Sequence, residues 1–127
     1  MELKLLPYAM TVCKLPDLRE ADLSRPFSFL GHTDEELSLV CRTEDVPADT
    51  IAREDGWRGF RIEGVLDFSL IGILSKLSAI LAEQRIGVFV VSTFNTDYIL
   101  VKAEQLDRAL SALTDAGYTV ADIREKP

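Results

Sequence analysis

Apolar positions in the second half of the chain follow two different periods. Leu and Ile recur along residues 70–81 at the spacing of an amphipathic helix, and residues 106–113 repeat that stripe. The run 88–91 is apolar throughout, which predicts a central strand covered on both faces. Four segments in all have the length and pattern of strands: 58–63, 88–91, 98–101 and 118–123. The order is β-α-β-β-α-β, which predicts an α+β, ferredoxin-like sandwich with both helices on one face of an antiparallel sheet.

The ends of the two predicted helices carry capping signals. Asp67 or Ser69 can cap the first helix by accepting from its free N–H groups. Gly87 lies just past the end of that helix, where a left-handed residue is favoured, and Gly117 closes the second helix in the same way.

The first half of the chain has a weaker version of the same pattern. It predicts short strands at 3–6, ended by Pro7, and at 9–15, 27–30 and 37–41. Residues 17–24 predict one or two helical turns, and residues 47–53 a short helix that begins at a proline. Thr33-Asp34 and Thr96-Asp97 each precede an apolar strand and an acidic link, a weak internal repeat. We therefore expect two β-α-β-β-α-β units, a degenerate one at 1–60 and a regular one at 61–127.

Composition narrows the function classes. The net charge of −7 on 127 residues disfavours binding to phosphate backbones and to anionic membranes, so no nucleic-acid or membrane partner is expected. The N-terminus lacks a signal-peptide pattern and no apolar run is long enough to span a bilayer, which favours the cytoplasm.

Cys13 and Cys41 lie in apolar runs and are expected to be buried free thiols. With His32 as the single histidine, a multi-histidine metal site within one chain is excluded, and we expect neither metal nor cofactor.

Residues 70–93 resemble the ACT domain, the small amino-acid-sensing module of aspartate kinases and other biosynthetic enzymes. The resemblance lies in Gly72 at the helix start, the amphipathic helix, the pair Ala82-Glu83, the apolar strand and Ser92-Thr93 at its end. Residues 53–61, 64–69 and 92–98 are similar to the paired ACT domains of the CASTOR-type arginine sensors and their small bacterial relatives. The resemblance implies ligand sites at a contact between two C-terminal units, and therefore a homodimer.

The residue chemistry independently suggests a site for a free amino acid. The helix start near Gly72 offers unpaired N–H groups and a positive dipole to a carboxylate. Asp97 offers a fixed negative charge to an ammonium group. The candidate ligand-binding residues are Asp67, Ser69, Leu70, Ile71, Gly72, Ser92, Thr93, Asn95 and Asp97. Structural alternatives stay open: Asp67 as a helix cap, Gly72 as a close helix contact, and Thr96-Asp97 as a hairpin turn.

Three function classes remain to be weighed. The residues and the resemblance favour a non-catalytic regulatory module that binds a small ligand, a free amino acid. The alternative is a structural protein that keeps the ACT fold for oligomerisation and has no ligand. An enzyme is disfavoured because His32 has no nucleophile arranged beside it and no Gly-rich phosphate loop is present, so no catalytic residue is assigned.

Overall fold

The computed structural model describes residues 1–63 and 72–123. Two α-helices lie within this part of the chain, α1 at Ile73–Glu83 and α2 at Leu106–Asp115. Short 3-10 turns occupy Leu18–Glu20, Thr43–Asp45 and Ala103–Gln105. The strands are β1 Glu2–Lys14, β2 Phe29–His32, β3 Leu37–Arg42, β4 Ala52–Ile62, β5 Phe89–Ser92, β6 Asp97–Lys102 and β7 Thr119–Asp122.

The chain divides into two compact units. Tyr8–Trp57 form the N-terminal unit, and Met1–Pro7 with Arg58–Pro127 form the C-terminal unit. Strands β1 and β4 each contribute residues to both units. The division into ACT-like units at 1–60 and 61–127 stays a prediction of the sequence.

The C-terminal unit is the helix-covered sandwich that the periodicity predicts. Its strand order is β7-β1-β4-β6-β5, antiparallel between β5 and β6 and parallel between β1 and β7. The parallel pair arises because Met1–Pro7 supply a strand from the far end of the sequence. The two helices and one face of the sheet share a single buried cluster: Leu3, Phe60, Ile62, Leu77, Leu81, Ile86, Ile99, Val101, Leu106, Ala109 and Leu113.

The N-terminal unit keeps the strands but has 3-10 turns where the repeat predicts helices. Its strand order is β2-β3-β1-β4, and its buried cluster is smaller: Cys13, Leu15, Leu37, Leu39 and Cys41. The predicted turn within residues 17–24 is confirmed at Leu18–Glu20, where the Asp17 carboxylate accepts from the Arg19 N–H at 2.8 Å.

Two expectations for this half of the chain are wrong. No helix forms at 47–53, because the Ile51 N–H already donates to the Lys14 carbonyl at 2.8 Å and the chain enters β4 at Ala52. Pro7 does not end the first strand, which continues to Lys14. Pro7 is exposed, and a proline is tolerated in a strand where its missing N–H faces no partner.

The prediction for the end of α1 is also wrong in its residue. Gln84 ends the helix and Arg85 adopts the left-handed conformation with φ +60. Gly87 is therefore not the left-handed residue that closes α1. The Ile86 N–H then reaches back to the Leu81 carbonyl at 3.0 Å, and the Ile86 side chain is buried. Burial of Ile86 two residues after the C-cap therefore fixes the turn at Arg85. Gly117, with φ +99, closes α2 by the same pattern, as predicted.

Strand β5 is the clearest positional error of the sequence analysis. The apolar run 88–91 predicts a central strand, but β5 ends the strand order and pairs with β6, with Val90 opposite Ile99. Its residues Phe89, Val90 and Val91 are only half-buried.

Both cysteines are buried free thiols, as predicted. Burial raises the pKa of Cys13 and raises the pKa of Cys41 to about 12. Both groups are therefore protonated and poor nucleophiles at neutral pH.

Candidate functional site

The β5–β6 hairpin turn is held by the side chain of Thr93. The Thr93 N–H donates to the Thr96 carbonyl at 2.9 Å, and the Thr93 hydroxyl donates to the same oxygen at 2.8 Å. The Thr93 Oγ1 also accepts from the Thr96 N–H at 3.3 Å. The hydroxyl of Thr93 therefore makes its hydrogen bonds within the turn.

An equivalent turn lies in the N-terminal unit, sixty positions earlier. The Thr33 N–H donates to the Glu36 carbonyl at 2.9 Å, and the Thr33 Oγ1 accepts from the Glu36 N–H at 3.2 Å. Strands β2 and β3 correspond to β5 and β6 at the same offset. The structural repeat therefore aligns Thr33 with Thr93, and the sequence alignment of Thr33 with Thr96 is wrong by three residues.

The corrected alignment places Asp97 at the position that Leu37 has in the N-terminal unit. Leu37, the first residue of β3, is buried with 8% of its surface exposed. Its counterpart Asp97 begins β6, is half-buried and lies opposite Ser92. A carboxylate at a position that buries leucine in the repeat is costly unless it has a partner.

The β5–β6 turn is hydrogen-bonded to the carboxyl end of β4. Thr96 is buried, and its hydroxyl donates to the Ile62 carbonyl at 2.7 Å. Sequence reasoning missed Thr96 as a contact residue; its counterpart in the repeat is the exposed Glu36. The contact brings Asn95, exposed at the turn, next to the end of β4.

Gly72 is the N-cap of α1, one residue before the helix. It has φ +86, and as a glycine it has no side chain with which to cap the helix start. A Cβ built at Gly72 would meet no described atom within 4 Å, so no described residue packs closely against this glycine. Glycine is favoured here because a left-handed residue with a side chain is strained. Among the described residues Gly72 has no close helix contact, and that alternative stays a prediction of the sequence.

The candidate site is only partly within the described residues. Gly72, Ser92, Thr93, Asn95 and Asp97 are described, and all but Asp97 are exposed. Four other candidates, Asp67, Ser69, Leu70 and Ile71, lie outside the described residues.

One open cavity borders the start of α1. It has a volume of about 260 Å³, and its described lining residues are Met1, Ile73, Lys76, Ala116, Gly117 and Tyr118. None of the described candidate residues is in this lining.

Residues 1–63 and 72–123 contain neither a cluster of metal-ligating side chains nor a membrane-spanning helix. No group of three or more His, Cys, Asp or Glu side chains is placed to hold a metal ion. Within the same part of the chain, neither helix has the length and apolar character needed to cross a bilayer.

Comparison with known proteins gives one family. The family model of the ACT domain matches residues 52–115. No protein of curated function matches the sequence significantly.

Three solved structures illustrate the likeness. A protein from Agobacterium tumefaciens is 30% identical, with a TM-score of 0.83 over 99% of this chain and 96% of its own. A Vibrio cholerae protein described as of unknown function and a possible transport protein is 21% identical, with a TM-score of 0.71 over 87% and 85%. The regulatory subunit of aspartate kinase from Thermus thermophilus is 14% identical, with a TM-score of 0.58 over 87% and 93%. The chain described here belongs to the ACT domain family.

Proposed function

We propose that this protein is a non-catalytic regulatory module that binds a free amino acid in its C-terminal unit. Membership of the ACT family supports a regulatory, ligand-binding role. The fold shared with the regulatory subunit of an aspartate kinase supports the same class. The two free thiols fit a reducing compartment such as the cytoplasm, where we place the protein.

The observation that carries the proposal is the carboxylate of Asp97. It stands half-buried where the repeat places buried Leu37, and it begins a strand next to an exposed turn. A negative charge kept at such a position is explained by a cationic ligand group. In the proposal, Asp97 binds the ammonium group of the amino acid, and the turn from Ser69 to Gly72 binds its carboxylate.

The remaining candidates take secondary roles in this proposal. Ser92 and Asn95 offer a hydroxyl and an amide to the ligand from the strand end and the turn. Thr93 holds the turn in shape, because its hydroxyl is already hydrogen-bonded within it. Asp67, Leu70 and Ile71 are proposed to contribute to the binding of the ligand carboxylate.

The proposal includes a homodimer, with each ligand site completed by the second copy. One chain has a single regular ACT unit, so a two-fold arrangement would create two equivalent sites. Ligand binding at such a contact would couple amino-acid concentration to association, which is a regulatory output.

A panel of free amino acids in thermal-shift assays tests the proposal. A ligand at 100 times its dissociation constant should stabilise the protein by about 2.7 kcal/mol. If no amino acid raises the melting temperature, the alternative of a ligand-free structural protein replaces the proposal.

Two substitutions at Asp97 then test the contact. Asp97→Asn should weaken the binding of the amino acid found by about 2–5 kcal/mol, roughly 30- to 4,000-fold. Asp97→Leu installs the residue that the repeat has at Leu37, so it should abolish binding while the protein stays folded and gains stability. Asp34→Asn, in the exposed turn of the N-terminal unit, is the matched control and should bind as the parent does. Parent-like affinity in Asp97→Asn would show that the contact is wrong.

A further inference from the structure

The open cavity beside the start of α1 has apolar walls. Its volume of about 260 Å³ lies below the ~300–1,000 Å³ of drug-sized sites, so it fits a small metabolite. Ile73 from α1 and Tyr118, just before β7, line the cavity, and both also pack against the buried core of the C-terminal unit. Met1 and Ala116 complete the apolar part of the lining. Walls of this kind favour a ligand with a hydrocarbon chain.

Two polar groups of the same lining are not used by the fold. The ammonium of Lys76, in the first turn of α1, makes no ion pair within residues 1–63 and 72–123. The hydroxyl of Tyr118 makes no hydrogen bond within that part of the chain either. Burial raises the pKa of Tyr118, so its hydroxyl stays protonated at neutral pH and can donate. The cavity therefore offers a positive charge and a hydrogen-bond donor, which together suit an anion.

The charge of the lining also disfavours a ligand with an ammonium group. The described lining residues include Lys76 and contain no Asp or Glu. The ammonium of a free amino acid would lie near a like charge and would have no described carboxylate to bind, which is costly for a group removed from water. The chemistry of this cavity thus differs from that of the site proposed around Asp97.

We propose that the cavity is a second ligand site, which binds a small carboxylic acid with an apolar chain and no amino group. Lys76 pairs with the carboxylate, and the Tyr118 hydroxyl donates to it. The apolar chain packs on Ile73 and Ala116. The ligand bridges α1, the residue that follows α2 and the segment before β7, which lie far apart in the sequence. The regulatory module would therefore respond to an organic acid as well as to an amino acid.

Nuclear magnetic resonance with 4-methylpentanoate tests the site. This carboxylate has the side chain of leucine and lacks its amino group. It should shift the amide signal of Gly117, which lines the cavity, and leave the amide of Gly31 in β2 unchanged. Leucine and acetate at the same concentration should leave Gly117 unchanged, because leucine adds an ammonium group and acetate lacks the chain. Titration of the Gly117 signal then gives the dissociation constant.

Two substitutions test the polar contacts with little change in volume. Lys76→Met removes the charge, and Tyr118→Phe removes the hydroxyl. Each should raise the dissociation constant of 4-methylpentanoate about five- to tenfold, the loss of one exposed charge pair or one hydrogen bond. Lys14→Met is the matched control, because it removes the charge of an exposed lysine in the N-terminal unit and should bind as the parent does.

Several results would overturn the inference: no shift of Gly117 with 4-methylpentanoate, an equal shift with leucine, or parent-like affinity in Lys76→Met. An equal loss in Lys14→Met would do the same, since it would show an effect of net charge alone. If circular dichroism shows Lys76→Met unfolded, the titration of Tyr118→Phe decides the question.

The test is independent of the amino-acid proposal. Weaker binding of 4-methylpentanoate in Asp97→Asn would assign this ligand to the amino-acid site and overturn the second site. A shift of Gly117 without any response in the amino-acid panel supports the cavity and refutes the amino-acid ligand. An amino-acid response without a shift of Gly117 does the reverse.

Discussion

The two units of this chain share a hairpin and differ in what covers it. Residues 29–45 and 89–105 each form a strand, a threonine-held turn, a second strand and a 3-10 turn, at the same spacing. After residue 105 the chain continues as α2, and after residue 45 it has no helix and enters β4 at Ala52. The hairpin is therefore set by local strand and turn chemistry, since it forms in both units with and without helices.

The covering decides how much apolar surface each unit buries. In the C-terminal unit, α1 and α2 supply Leu77, Leu81, Leu106, Ala109 and Leu113 to the core. In the N-terminal unit, the residues that pack on the smaller cluster outside its strands are Ala21 and Val46, both partly exposed. The helix-covered unit consequently has the larger hydrophobic contribution, since that contribution follows buried area.

The largest expected effect is at the helix–sheet core. Leu113→Ala should lower the free energy of unfolding by about 2–5 kcal/mol, because it leaves a cavity at a side chain with 0% exposure. Val46→Ala, in the cover of the other unit, should cost only about 1 kcal/mol, because that side chain is partly exposed. Urea unfolding of the two variants measures both values. Equal losses would mean that the loop cover packs as tightly as α2.

The next effect separates the two turns. Thr96→Val keeps the shape but removes the hydroxyl that donates to the Ile62 carbonyl, which should cost about 1–3 kcal/mol. The counterpart Glu36 is exposed, so Glu36→Ala should change stability by no more than about 0.5 kcal/mol. Chemical denaturation tests this pair. A neutral Thr96→Val would show that the link to β4 does not stabilise the turn.

The smallest effect compares the ends of the two helices. Arg85→Gly should stabilise the protein by roughly 1 kcal/mol, because glycine adopts the left-handed conformation without the cost that arginine has at φ +60. Gly117→Ala, at the same position after α2 with φ +99, should destabilise by a similar amount. Thermal melts of both variants should therefore move in opposite directions. A shift of Arg85→Gly to lower temperature would contradict the strain at Arg85.

The sequence by itself determined the elements of the C-terminal unit. The stripe along residues 70–81 and the alternation at 58–63 predicted α1 and the end of β4, because burial against one face imposes those periods on the sequence. The ferredoxin-like class and the ACT family followed from the same residues and are confirmed. Gly117 was also read correctly, since a glycine after an apolar stripe is a local signal.

Tertiary structure alone decided what depends on distant residues. An apolar strand looks the same in sequence whether it is central or at an edge, so the place of β5 followed only from the strand order. Arg85 became left-handed because Ile86 is buried against the core, a constraint that no neighbour in the sequence reveals. The equivalence of Asp97 and buried Leu37 emerged only when the structure aligned the two hairpins, since it rests on three-dimensional position.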